Sequence, residues 1–503
     1  MEWTLCLSMQ ISTRERKKVK MNESDKDLPR KGDTPRKMSR RRFIQAGIAA
    51  GILTGAGVIA GAVPYFRRMN SRSTGESPAG PSPSASVPNQ VEPASQGFFS
   101  LGVASGDPLP DGIVLWTRLA PEPLKIGGGM SNESVAVQWE IAEDEKFQTI
   151  VKSGTETAEA ASAHSVHAEV SGLEPAKLYY YRFKTGSQTS PVGRTKTAPA
   201  ANAKLDRFQF AFASCQSFQA GYYTAYDHLV KEDIDLVVFL GDYIYTAGPN
   251  EKTIKEREHY PKGKIDNVDS YRIRYAQYKA DPSLQAAHAA FPWIVTFDDH
   301  EVKNNWLGEM VSMNTPSFLK QKAAAFQAYY EHMPFRKASI PNGPSIQMYR
   351  RIKFGDLAEF SVLDTRQYRS GVPCANQSSA CEERFDPSLE ILGKQQEQWL
   401  FDGLKASTAR WNIIAQQILM AQITRKEADG KLGFNTIIWD GYAATRNRLQ
   451  KQVSDNKISN LVVLTGDSHN NWVNDLMVDF NDKSSAVWGT EFGVTSISSG
   501  GDG

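Results

Sequence analysis

Ile234-Asp235-Leu236-Val237-Val238-Phe239-Leu240-Gly241-Asp242-Tyr243-Ile244-Tyr245 is an apolar run that stops on a glycine, a carboxylate and two phenols. The run is too short for a buried helix, and it is rich in Val and Leu up to the glycine, so it reads as a strand covered on both faces. The pattern recurs. Phe208 to Ala213 ends at Ser214-Cys215-Gln216, and Trp293 to Phe297 ends at Asp298-Asp299-His300-Glu301. Phe360 to Leu363 ends at Asp364-Thr365-Arg366, and Leu461 to Thr465 ends at Gly466-Asp467-Ser468-His469. Helical segments lie between them: Phe218, Tyr222, Ala225, Tyr226 and Leu229 repeat with the period of one helix face. Sheets of this kind place their sites beyond the carboxyl ends of the strands. Residues 201–503 therefore read as an α/β domain with one convergent polar edge.

Singly, these clusters are ordinary. Gly-Asp after a strand is often a turn, a lone histidine such as His300 is as readily a network residue, and a buried cysteine is usually packing. Repetition alters the weighing, because several strand ends bring Asp, His, Asn, Tyr and Cys to one side. Carboxylates gathered without a matching Arg/Lys cluster repel one another unless a cation is present. Asp242 has two oxygens with which to bridge two cations. Tyr245 can supply a phenolate and Cys215 a thiolate, anions suited to Fe(III) rather than to Zn(II) or Mg(II). Asn304 and Asn305 offer neutral oxygens or phosphate donors, and His469 a further imidazole. Two or more metals a few ångströms apart are a usual device for phosphoester hydrolysis.

The flanking chain divides by composition. Residues 98–200 alternate like an all-β domain, with strand-like runs at Val135–Ile141 and Leu178–Phe183. Gly172-Leu173-x-Pro175 followed by Tyr179-x-Tyr181-Arg182 resembles a fibronectin type III-like domain. His164 and His167 lie in a polar, Ala/Ser-rich stretch and are expected at the surface. Residues 69–97 are a Ser/Pro/Gly-rich linker. In residues 1–68, Ser39-Arg40-Arg41-Arg42-Phe43-Ile44 precedes an uncharged, Gly/Ala-rich run to Phe66, which resembles a twin-arginine export signal. A retained transmembrane anchor is the alternative, and would give membrane contact. Of the four cysteines, Cys6 is in the leader, Cys374 and Cys381 bracket a short polar loop and can close a disulfide outside the cytoplasm, and Cys215 is left over.

Formal charge agrees with this division. The 503-residue chain carries 58 Lys+Arg and 56 Asp+Glu, a net +2. Residues 1–68 hold 15 of those basic and 6 of those acidic side chains, so a leader of +9 masks a body of −7. Excess positive charge confined to the leader excludes a sequence-specific nucleic-acid binder, and 40% hydrophobic residues exclude global disorder.

The motifs Ser-Cys-Gln (214–216), Gly-Asp-Tyr-Ile-Tyr (241–245), Asp-Asp-His-Glu-Val-x-Asn-Asn-Trp (298–306), Trp-Asn-Ile-Ile-Ala-Gln-Gln (411–417) and Gly-Asp-x-His-x-x-Trp (466–472) resemble, in order, those of the PhoD-type alkaline phosphatases. Phe99 to Pro108 resembles the start of that family's N-terminal β-domain. The resemblance implies a four-layer αββα metallophosphoesterase sandwich related to purple acid phosphatases. It also implies an Fe(III) centre with Ca2+, export by the twin-arginine machinery to periplasm, cell wall or exterior, and hydrolysis of small-molecule or lipid phosphoesters by a metal-activated hydroxide. By position, Cys215, Asp242 and Tyr245 match the family's iron-ligating cysteine, bridging carboxylate and tyrosine. Asp298, Asp299, His300, Asn304, Asn305, Asp467 and His469 fall in its metal and phosphate motifs. Two other readings stand beside this one: a phospholipase D-like phosphodiesterase, and a surface binding protein on a degenerate hydrolase. The sequence stops in the glycine-rich Ser498–Gly503, where family members continue, so the catalytic domain is expected to be C-terminally incomplete, with an uncovered strand at Phe492–Ile497.

Overall fold

The computed structural model describes residues 97–248, 252–308, 315–376, 381–426 and 430–500, with the backbone of 7–12. Apart from the backbone of 7–12 and residue 97, the segments expected to be an export leader and a linker lie outside the described residues. Among the described residues, no helix is long and apolar enough to cross a membrane.

Two sheets form the body. In the first, Leu7–Ser12, Arg207–Ala213, Leu236–Phe239, Pro292–Val295, Val103–Leu109, Gly112–Arg118 and Ser165–Ser171 lie side by side. In the second the order is Arg350–Phe354, Ala358–Val362, Trp411–Ala415, Leu461–Thr465, Val487–Gly493 and Trp472–Met477. The pairings among Arg207–Ala213, Leu236–Phe239 and Pro292–Val295 are parallel, as are those from Ala358–Val362 through Val487–Gly493.

Side-chain alternation explains how the layers stack. Phe208, Phe210 and Phe212 face Ile352, Phe354, Phe360, Ile413, Val462 and Leu464 in a core between the sheets. The intervening Ala211 and Ala213 point outward, to a core with Tyr226, Tyr271, Tyr275 and Phe326 from the helices Thr224–Leu229, Val268–Lys279 and Pro316–His332. In the second sheet Ile414, Leu461 and Val463 pack outward on Leu400, Leu404 and Leu449 of the helices Gly393–Ala406 and Ala443–Asp455. Residues two apart share a strand face, so one apolar run feeds both cores. Each fully buried large apolar side chain stabilises the stack by about 1.5–3 kcal/mol. The result is the four-layer αββα sandwich expected.

The all-β region precedes it. Strands Val135–Ala142, Ile150–Ala158 and Leu178–Thr185, with two shorter ones, make a third sheet. Val137, Ile141, Tyr181 and Phe183 of that sheet pack on Val103, Ile113, Leu115 and Val170 of the first. Strand pairing runs across the sequence boundary near residue 200, because Val103–Leu109 pairs with Pro292–Val295 in parallel. The β-sandwich thus uses an extension of the first catalytic sheet as one of its two layers.

Three expectations are corrected. His164 and His167 are buried, not superficial: His167 Nε2 lies 2.9 Å from the carbonyls of Tyr330 and Met333, which hold its N–H inside. The helix near Tyr222 begins only at Thr224, and Tyr222 is exposed. The last strand is Val487–Gly493, and it is paired on both sides, parallel to Leu461–Thr465 and antiparallel to Trp472–Met477.

Candidate metal centre

The strand ends of both sheets converge, and glycine is what lets them. A Cβ on Gly241 would lie 2.5 Å from the backbone nitrogen of Asp298, and one on Gly466 would lie 2.6 Å from Ser214 Oγ. Each Gly-Asp step therefore sits where only glycine fits against a neighbouring turn. The turns are also bonded directly: Cys215 N–H donates to the Gly241 carbonyl at 3.0 Å and Gln216 N–H to that of Asp242 at 3.1 Å. Five expected site residues have positive φ: Cys215 at 59°, Asp242 at 57°, Asn305 at 51°, Asp467 at 58° and His469 at 53°. A non-glycine residue held there costs on the order of 1–3 kcal/mol. The backbone at this edge is held where the ligand-bearing turns need it.

Three overlapping groups of ligand atoms result, each with its atoms within 4.8 Å of one another: Cys215, Asp242 and His469; Asp242, Asp299 and His300; and Asp298, Asp299 and Asp467. Asp242 belongs to two groups and Asp299 to two. Tyr245 joins the first, since its hydroxyl donates to Asp242 Oδ2 at 3.1 Å and lies 3.3 Å from His469 Nε2. Its ring also packs on His300, with centroids 4.2 Å apart. All eight residues expected as ligands are brought together. Asn304 and Asn305 are exposed beside the groups, and the Asn305 N–H bonds the Asp299 carboxylate.

Burial is the largest electrostatic effect at this edge. It pushes the Asp242 carboxyl well above the usual range, reinforced by Asp299 and Asp298. It also raises Asp467 to about 7, with Asp298 adding to the effect. The Cys215 thiol and the Tyr245 phenol are likewise pushed up by burial and by Asp242. Such a set cannot ionise together without positive charge nearby. Among the described residues, Asp298 Oδ2 and His300 Nδ1 are moreover buried with no hydrogen-bond partner. Orphaned buried acceptors are rare, and thiol, phenol, imidazole and carboxylate together make a donor set that fits metal cations.

Sequence reasoning missed four contributors. Arg366 is buried, its Nε donates to Asp298 Oδ1 at 2.5 Å, and its Nη2 is 4.0 Å from Asp299 and 3.8 Å from Asp467. Those carboxylates hold it firmly charged against the cost of burial. Its place in the Asp364-Thr365-Arg366 strand end was the available signal. Glu301 accepts the N–H groups of Asp242, Tyr243 and Asp298 at 3.1, 2.5 and 2.9 Å, so it shapes two ligand-bearing turns. Ser499 Oγ reaches Tyr245 Oη at 2.7 Å, and the Gly500 carbonyl accepts from His469 Nδ1 at 2.8 Å. Nothing in residue type alone would have marked these last two.

Comparison with known proteins settles the family. Residues 210–503 match the family described as PhoD-like phosphatase, and residues 84–199 match its N-terminal domain. The chain belongs to the PhoD-like phosphatase family. It is 52% identical over 413 residues to alkaline phosphatase D of Bacillus subtilis (strain 168), a match spanning 80% of this chain and 70% of that protein. A solved structure of PhoD superposes with a TM-score of 0.77 at 51% identity, covering 83% of this chain and 80% of the other. The expected enzyme class, phosphoric ester hydrolase, stands with this PhoD-like fold.

Proposed function

We propose that the protein is an exported, metal-dependent alkaline phosphatase that also hydrolyses phosphodiesters and holds Fe(III) and Ca2+. The carrying observation is the sharing of Asp242 and Asp299 among three ligand groups, which suits adjacent cations. Cys215, Asp242, Tyr245 and His469 would hold iron, since thiolate and phenolate favour Fe(III). Asp298, Asp299 and Asp467, an all-oxygen set, suit calcium. The disulfide between Cys374 and Cys381 supports an oxidising compartment, in keeping with the twin-arginine leader.

Bound cations supply positive charge and Lewis acidity at the phosphoryl group. The chain's own groups do the rest. His469 donates its Nδ1 proton to the Gly500 carbonyl, so its Nε2 lone pair is turned toward Tyr245 and Asp242. Arg366 fixes Asp298 and spreads positive charge over the carboxylates behind the site. Asn304 and Asn305, exposed beside His300, are proposed to orient the substrate's phosphoryl oxygens, and His300 to carry a proton for the leaving oxygen.

Elemental analysis of the purified chain, followed by rates on a phosphomonoester, a simple diester and phosphatidylcholine, tests this reading. Iron and calcium with faster monoester and diester turnover are expected. Preference for the phospholipid would favour a phospholipase D-like enzyme, and a chain binding neither metal would leave only a binding protein.

A further inference from the structure

Tyr245 is held at both of its backbone polar groups by one face of the helix Val268–Lys279. Its N–H donates to Tyr278 Oη at 3.0 Å, and its carbonyl accepts from Arg274 Nη1. Arg274, Gln277 and Tyr278 stand at the three- and four-residue spacing that puts side chains on one helix face. The same face gathers the chain again further on. Arg274 Nη2 donates to the Pro261 carbonyl at 2.9 Å and Nε to that of Tyr260 at 3.4 Å. Gln277 Nε2 donates to the Glu258 carbonyl at 2.8 Å, while Tyr260 N–H donates to Gln277 Oε1 at 3.0 Å. One helix thus pins the chain at residue 245 and again at 258–261.

The proton positions in this network follow from one carbonyl. Ala247 O can only accept, so His259 Nδ1, 2.7 Å away, carries the hydrogen. His259 Nε2 then accepts from the Tyr278 hydroxyl at 2.8 Å, which leaves that oxygen's lone pairs to the Tyr245 N–H. Burial, aided by the Arg274 charge, pushes His259 down to about 3, so this direction holds at neutral pH. Arg274 itself is wholly buried, and among the described residues its hydrogen bonds all go to carbonyl oxygens. A buried charge with no carboxylate against it is costly. Here it is spent on the carbonyl of the residue whose phenol meets Asp242.

We infer that Arg274 and Tyr278, backed by His259, are positioning residues that set where the Tyr245 phenol stands in the metal centre. The inference rests on the reading of Tyr245 as an iron ligand. Displacing a catalytic group by about 1 Å can cost on the order of a hundredfold in rate, and the backbone clamp is what opposes such drift in a chain turn that also carries Asp242.

The test uses the iron-loaded protein and the visible charge-transfer band of an iron-bound phenolate. Tyr245→Phe should abolish the band. Tyr278→Phe removes a single hydroxyl, and should shift the band and lower kcat about tenfold, the worth of one lost hydrogen bond, with KM and iron content unchanged. His259→Gln, which disturbs the same chain one step further away, should shift the band in the same sense by less, and decides the matter alone should Tyr278→Phe not fold. A variant that melts at lower temperature yet keeps the parental band and kcat would show the network to be merely structural and overturn the inference. A parent without the band, or a Tyr245→Phe protein that retains it, would instead remove the ligand reading beneath it.

Discussion

The two sheets deliver unlike chemistry to the same edge. From the ends of the first come Cys215, Asp242, Tyr245, Asp298, Asp299 and His300. From the second come Asp467 and His469, but also the Arg366 guanidinium and the amide of Gln417. Gln417 Nε2 donates to Thr296 Oγ1 of the first sheet's edge at 2.9 Å, and its Oε1 accepts from Thr365. The first sheet thus concentrates negative charge, while the second carries both ligands and the groups that make such a concentration tolerable. Between the sheets apolar stacking joins the layers, with the Arg350–Asp107 ion pair as a further polar link. At the metal centre the joint is made of ligands and their counter-charge, and a site split in this way should respond differently to damage on its two sides.

The largest expected effect is on the first side. Asp242 serves two ligand groups, Asp467 one. Asp242→Asn is expected to lower hydrolysis by about a thousandfold or more and to lose metal, and Asp467→Asn by about a hundredfold, judged by the worth of preorganised charge at a reacting centre. Steady-state rates with metal analysis on both variants would show it. Equal losses would mean that the sharing seen at Asp242 has no energetic consequence.

Next comes the charge balance. Arg366→Met leaves Asp298 buried without its partner, and removing one member of a buried pair typically costs about 3–5 kcal/mol. Urea unfolding of the metal-free variant should show a loss of that order, and added calcium should restore part of it, because a cation takes over the missing charge. A metal-free variant as stable as its parent would show that Arg366 does not compensate the cluster.

These contrasts also show what a one-dimensional reading can reach. The strands and their polar ends were legible because each run is apolar throughout and each ends on Gly-Asp, Asp-Asp-His or Ser-Cys, a local signal. That all eight expected ligands meet follows from parallel strands placing their carboxyl ends together. Arg366 was not legible, since an arginine after a strand looks like a solvated charge until Asp298, 68 residues away, is found against it. His167 failed for a similar reason: its stretch is polar and small, but the helix Pro316–His332 covers it from far along the chain. The docking of Val103–Leu109 beside Pro292–Val295 depends on strand pairing across nearly two hundred residues, which no local pattern reports.

His167 offers a probe of the first sheet away from the metal centre. Burial, opposed by the carbonyls of Met333 and Tyr330 and the charge of Glu169 and aided by that of Lys337, lowers its pKa from 6.5 to about 4. Between those values the unfolded chain binds the proton and the folded chain does not. Stability therefore rises with pH across that window. Acidification from pH 6.5 to 4 should cost on the order of 3 kcal/mol from this residue, and nothing further below. His167→Gln should flatten that part of the stability–pH curve while leaving metal content as in the parent. An unchanged slope would place the acid sensitivity elsewhere, the carboxylate edge included.

The smallest expected effect tests how the second sheet reaches the first. After Val487–Gly493 the chain crosses over: Ile497 N–H donates to the Ser214 carbonyl at 3.1 Å, Ser498 Oγ to that of Ser217 at 2.9 Å, and Ser499 Oγ meets the Tyr245 phenol at 2.7 Å. This last contact favours an ionised phenol, because a donor to the phenolate oxygen stabilises its negative charge. Ser499→Ala removes it, together with the 3.2 Å contact of the same hydroxyl to the Cys215 carbonyl, and leaves the Ile497 and Ser498 crossings in place. About a fivefold fall in kcat is expected, with little change in KM or melting temperature, from the loss of the phenol's hydrogen bond, worth about 1 kcal/mol. Arg366→Met should act the other way round, with a large change in metal-free stability. A Ser499→Ala enzyme with the parental rate would mean that the second sheet contributes ligands and charge to this centre but does not tune the first sheet's phenol.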